Sequence, residues 1–198
     1  MQTPEKALEL LKEGNQRFVS NNQINRDLLE QVRQTASGQR PFAVVLGCID
    51  SRVPAELIFD QGIGDILNVR IAGNIVNDDI LGSLEFACKV LDSALIVVLG
   101  HSRCGAVSGA CDDMKLGNLT TLISKLKPAV DSVKDEKDDS TTNGGFIQKV
   151  AVRNVSMTIN AIKERSPILA EMIGNAEIGI VGGMYDVETG KVAFFEND

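Results

Sequence analysis

Phe42-Ala43-Val44-Val45-Leu46-Gly47 carries no charge and runs directly into Cys48-Ile49-Asp50-Ser51-Arg52. A short, continuous apolar run of this kind reads as a parallel strand covered on both faces. Ala94-Leu95-Ile96-Val97-Val98-Leu99 repeats the pattern and leads into Gly100-His101-Ser102-Arg103-Cys104-Gly105. Residues 66–71 and 178–182 read as two further strands. The turn Asp186-Val187-Glu188-Thr189-Gly190 leads into a last strand at 192–195.

Helical patterns separate these runs. Thr3-Pro4 supplies an N-cap followed by proline at the first helical position. Leu8, Leu11 and Phe18, widened by Ala7 and Leu10, form an apolar stripe to about residue 19. Further helices are expected at 26–35, 78–91, just after Arg103, 119–133, 146–162 and after Pro167. The charged stretch 134–142 reads as an exposed loop. Strands alternating with helices predict an α/β fold. Its centre is a mostly parallel β-sheet of four strands plus a C-terminal edge strand, with helices on both faces. The expected organisation is one domain over 1–198, with an N-terminal helical arm at 1–36 and an α/β core at 37–198.

Composition narrows the function. The formal net charge is −7 and no Lys/Arg block offsets it, so no nucleic-acid partner is expected. No apolar stretch approaches the roughly 20 residues of a membrane span, so no membrane partner is expected either. The N-terminus lacks a signal-peptide pattern. A cytoplasmic protein is therefore expected. Its four cysteines, at 48, 88, 104 and 111, do not resemble a disulfide framework. Cys88 falls in the apolar pattern of Ile80, Leu84, Ala87 and Leu91, and reads as a packed core thiol.

In open parallel sheets ligands bind beyond the carboxyl ends of the strands. Cys48 and His101 both stand at such ends, and His101 is the sole histidine of the chain. His101-x-x-Cys104 can fold back within one turn toward one ion. If strands 42–47 and 94–99 are neighbours, Cys48 supplies a third ligand. Two thiolates and an imidazole suit zinc, and three protein ligands leave a fourth position for water or for Asp50. Arg52 lies on the same side as Asp50 wherever the chain stays extended. Taken singly, a strand-end cysteine reads as core and an Asp-x-Arg pair as a surface ion pair; only their joint placement points to a metal. Other motifs fail. Gly62-Ile63-Gly64 lacks the third glycine of a dinucleotide fingerprint. Pro54 and Ala110 stand where a cysteine phosphatase needs arginine. Gly105–Gly109 does not match Gly-x-Ser-x-Gly.

Cys-x-Asp-x-Arg-Val-Pro from Cys48, with Gly-His-Ser-x-Cys-Gly from Gly100, resembles the β-class carbonic anhydrases. The likeness runs from Leu11–Phe18 to Gly183–Gly190. It implies one zinc per subunit held by Cys48, His101 and Cys104, and a catalytic dyad of Asp50 and Arg52. It implies reversible hydration of carbon dioxide to bicarbonate and a proton by zinc-bound hydroxide. Gly105 would offer its N–H to substrate. Gln39 matches a substrate-contacting glutamine of the plant-like members, and Leu67, Ala72 and Phe86 match pocket-lining positions. Leu67 replaces a frequent phenylalanine and Ile71 a frequent asparagine. Val45 stands where the bicarbonate-inhibited members carry tryptophan, so the resemblance favours the plant-like, open-site subtype. A homodimer or dimer of dimers is implied, with the N-terminal helix either crossing to a partner or packing on its own subunit. Hydrolysis of carbonyl sulfide or carbon disulfide on the same scaffold, and a weakly catalytic zinc-binding sensor, are the alternatives.

Overall fold

A computed structural model of the chain describes residues 2–134 and 143–195; the expected loop at 134–142 thus falls, beyond Lys134, outside the described residues. Five strands form one sheet: β1 (Ala43–Gly47), β2 (Ile66–Arg70), β3 (Leu95–His101), β4 (Gly179–Tyr185) and β5 (Val192–Phe194). Their order is β2-β1-β3-β4-β5; β1 to β4 run parallel, and β5 pairs antiparallel with β4. The chain leaves β1 for β2 on one side and returns to β3 on the other. The sheet therefore changes winding direction between β1 and β3, and the carboxyl ends of these neighbours flank a crevice.

The period-two alternation of the strands divides the core. Val44, Leu46, Ile96 and Val98 face one apolar cluster. Ala43, Val45, Leu95, Val97 and Leu99 face the other. The first face is covered by α4 (Asp78–Glu85), α5 (Gly105–Cys111), α6 (Gly117–Ser124), α7 (Lys127–Lys134), α8 (Asn143–Arg165) and α9 (Pro167–Gly174). The second is covered by α1 (Pro4–Val19) and by α3 (Ala55–Ile58), a short helix with no counterpart in the sequence reading.

The apolar stripe of α1 packs on its own chain. Ala7 and Leu11 are wholly buried there. Asn15 fixes the helix by donating to Ile58 O and Gly190 O while accepting from Val192 N. By contrast, α2 (Leu28–Thr35), capped by Asp27, buries none of its residues. Arg17 and Arg26 both pair with the buried Asp60 carboxylate, and Ile24 N donates to it, tying the α1–α2 connection down.

Two expected helices are interrupted. The helix expected at 119–133 is divided into α6 and α7, because Pro128 has no N–H to continue the ladder and the joint closes with tighter bonds such as Leu126 N to Ile123 O. The helix expected at 78–91 ends as a π-helical turn, Phe86–Val90, in which Leu91 N donates to Phe86 O.

Candidate metal centre

Cys48 leaves β1, His101 ends β3, and Cys104 caps α5. Because β1 and β3 pair from Ala43↔Leu95 to Leu46↔Val98, these ends arrive together. All three residues are buried, and their ligand atoms lie within 4.8 Å of one another. The two sulfurs are 4.0 Å apart. Tetrahedral zinc with Zn–S bonds of about 2.3 Å requires a sulfur–sulfur edge of about 3.8 Å.

His101 decides how the cluster reads. Its Nδ1 lies 2.9 Å from the Ser102 carbonyl oxygen, which fixes that nitrogen as the N–H. Its Nε2 is buried and, among the described residues, has no hydrogen-bond partner. A buried lone pair left bare costs free energy on the order of 1–3 kcal/mol. Aimed beside two sulfurs, it is the donor atom a metal takes up. The two sulfurs also differ from each other. The contact with Cys104 draws the Cys48 thiol down against the effect of burial, helped by His101 and by the N–H groups of Gly73 and Asp50. The same contact pushes Cys104 up, reinforced by burial and only partly offset by the N–H groups of Val107 and Ala106. One proton thus serves two thiols, and a dication would displace it.

Beside the cluster, Asp50 is locked to Arg52. Arg52 Nε donates to Asp50 Oδ1 at 2.9 Å and its terminal nitrogen to Oδ2 at 2.7 Å. The Arg52 backbone N–H adds a third bond, to Oδ1. These bonds hold the carboxyl far below its usual range. Asp50 Oδ2 stands 3.9 Å from His101 Nε2. Arg70, on β2, donates to the carbonyls of Cys48 and Asp50 and so fixes the loop that carries both side chains.

The other residues singled out by sequence are spread over the chain. Gly105 opens α5 immediately after Cys104, and its surroundings are open. Ala72 begins the short 3-10 turn Ala72–Asn74, next to Gly73, whose N–H reaches Cys48 Sγ. Leu67 and Phe86 line one groove between β2 and α4. Register sets Leu67 opposite Val44, so about 13 Å of strand separates it from the level of Cys48. Gln39 precedes β1 and lines a hollow at the other end of the sheet with Phe42, Asp65 and Leu91. Within one chain, then, Gln39, Leu67 and Phe86 do not meet the metal cluster. Sequence reading missed Arg70, because only the pairing of β1 with β2 sets it level with Gly47, at the strand end that carries Cys48.

A family model described as "Carbonic anhydrase" matches residues 43–192, which contain every residue of this centre. The chain belongs to the β-carbonic anhydrases. It is 38% identical over 194 residues to "Carbonic anhydrase 2" of Mycobacterium tuberculosis, covering 95% of this chain and 91% of that one. It is 34% identical to the "Carbonic anhydrase" of Mycolicibacterium smegmatis, covering 96% and 92%. Among solved structures, a tetrameric β-carbonic anhydrase from Sordaria macrospora superposes with a TM-score of 0.77 at 27% identity, covering 85% of this chain and 90% of that one. The β-carbonic anhydrase CafA of Aspergillus fumigatus gives 0.79 at 25% identity, covering 97% and 90%. The activity of this β-carbonic anhydrase is the zinc-dependent, reversible hydration of carbon dioxide. Among the described residues, no helix is long and apolar enough to cross a membrane.

Proposed function

We propose that Cys48, His101 and Cys104 hold the single zinc, and that Asp50 and Arg52 govern the water at its fourth position. The observation that carries this reading is the buried His101 Nε2, without a hydrogen-bond partner among the described residues, on a histidine whose ring lies within 4.8 Å of both cysteine sulfurs. Zinc, when bound, lowers the pKa of a water ligand toward about 7. Asp50, held ionised by Arg52, has no proton to give and serves as a hydrogen-bond acceptor that orients this water toward substrate. Gly105 offers an N–H from the first turn of α5, where helix geometry leaves it without an intrahelical acceptor. Ala72 supplies a small apolar wall for a substrate that carries no charge. The occupation of Asp50 by Arg52, with Val45 on β1, favours the open-site subtype.

Gln39, Leu67 and Phe86 contact substrate only if a second copy brings them to the centre. A homodimer, or a dimer of dimers, is therefore part of this reading. The tetrameric relative supports it. So do the exposed Leu28, Leu29 and Val32 of α2, a helix with no core of its own to cover. Four unpaired cysteines agree with a reducing, cytoplasmic setting. Stopped-flow hydration of carbon dioxide, with zinc content measured in parallel, tests the whole. One zinc per chain with hydration between about pH 7 and 9 is expected; stoichiometric zinc without hydration would overturn it.

A further inference from the structure

We propose that Asn154 and Thr158 of α8 are positioning residues for the zinc thiolate: they hold the Gly73–Asn74 turn so that Gly73 N–H points at Cys48 Sγ. This inference rests on Cys48 being a zinc ligand.

The turn is an unusual stretch of backbone. Gly73 has φ +71° and Asn74 has φ +42°, two successive left-handed residues, the second with a side chain. Single left-handed non-glycine residues cost on the order of 1 kcal/mol and persist only where their surroundings hold them. Gly73 N lies 3.4 Å from Cys48 Sγ in a buried contact. A side chain at Gly73 would bring a Cβ within 2.9 Å of Leu126 Cδ1, so the turn is pressed from the joint between α6 and α7 as well.

The other side is held by α8. Asn154 Nδ2 donates to Gly73 O at 2.8 Å, and Thr158 Oγ1 donates to Asn74 O at 3.4 Å. Both side chains are 4% exposed. They stand one turn apart, on one face of the helix. Their helix neighbours on the core side, Val150, Ala151, Val155 and Ile162, are apolar and buried. Placing an amide and a hydroxyl in such a face is costly unless both are hydrogen-bonded. The carbonyls they meet belong to the two left-handed residues.

An N–H donated to a ligating thiolate withdraws electron density from sulfur and leaves the metal more acidic. Releasing the turn would return that density to the metal and loosen the placement of Cys48. Partners of this kind change metal affinity by about 10- to 100-fold when removed.

The test uses the full-length protein loaded with cobalt(II) in place of zinc, reading the thiolate-to-cobalt charge-transfer band. A band in the unaltered protein establishes cysteine ligation; its absence would overturn the ligand assignment and this inference with it. Asn154→Leu removes the donor at similar size and Thr158→Val does the same more mildly. Each is expected to move the band to lower energy and to quicken zinc release to a chelator, by about tenfold for Asn154→Leu. Thr158→Ser, which restores the hydroxyl, is expected to keep the native band. Val155→Ala serves as the packing control, since it loosens α8 without touching either carbonyl; its band is expected not to move. An unmoved band in folded Asn154→Leu or Thr158→Val would overturn the proposal. A shift in Val155→Ala as large as theirs would do the same. If Asn154→Leu does not fold, the Thr158 pair decides.

Discussion

Asp50 Oδ2 approaches His101 Nε2 to 3.9 Å, yet all of the carboxylate's close bonds go to Arg52. On the proposed reading, Asp50 is near enough to the metal to touch a water there, and Arg52 restrains it from taking that water's place. Arg52→Ala should remove that restraint. The expected outcome is unchanged zinc content with hydration reduced by at least about 100-fold, the usual scale for a positioned proton-handling group. Stopped-flow assays against zinc content check it.

Zinc removal should change cysteine chemistry selectively. In the metal-free protein the Cys48 thiol is held down and is the nucleophile of the pair. Burial alone pushes Cys88 up to about 12, which keeps it inert. Brief alkylation followed by peptide mapping should therefore mark Cys48 after chelation, spare Cys88, and mark neither when zinc is restored. The melting temperature should fall on chelation, because zinc binds only the folded site.

Acid should weaken the hold on the α1–α2 connection. Burial pushes Asp60 up, but Arg17, Arg26 and Ile24 N–H together hold it below its ordinary value. A depressed carboxyl contributes stability above the unfolded pKa, near 3.9, and that contribution is lost as pH falls through the folded value. Asp60→Ala should cost about 3 kcal/mol at neutral pH, since it leaves two partly buried guanidinium groups unpaired. Its melting temperature should also depend less on pH below about 4. Thermal melts of both proteins across that range measure the difference.

The exposed side chains of α2 should report assembly. Leu29 is 70% exposed and Val32 48% exposed, so charging them disturbs no packing within the chain. Leu29→Glu with Val32→Glu is expected to lower the mass seen by light scattering while leaving the circular dichroism unchanged. Retention of the full assembly would remove α2 from the interface.

β1 and β3 were legible because they are buried along their whole length and apolar on both faces, a composition that only strands covered by helices on each side need. The neighbourhood of β1 and β3, on which the metal cluster depends, was legible only as a condition. No local pattern states which strands pair. Cys48, His101 and Cys104 stood out through their joint placement just past two apolar strands, since a strand-end cysteine taken singly reads as core. Asn154 was not, because a lone amide inside a helix carries no signal until the carbonyl it meets is known. The break at Leu126 was marked by Pro128, two residues on. Asn15 escaped notice because a buried amide looks polar on an otherwise apolar stripe. Gln39, Leu67 and Phe86 were matched by position alone, and position says nothing about which copy of a chain a residue serves.

Asp50→Ala, measured for zinc content and for carbon dioxide hydration on the same sample, tests the division between ligands and dyad most directly. One zinc per chain with hydration reduced by at least about 100-fold is the predicted result. Full hydration would contradict the role given to Asp50, and loss of zinc would contradict its separation from the ligand set.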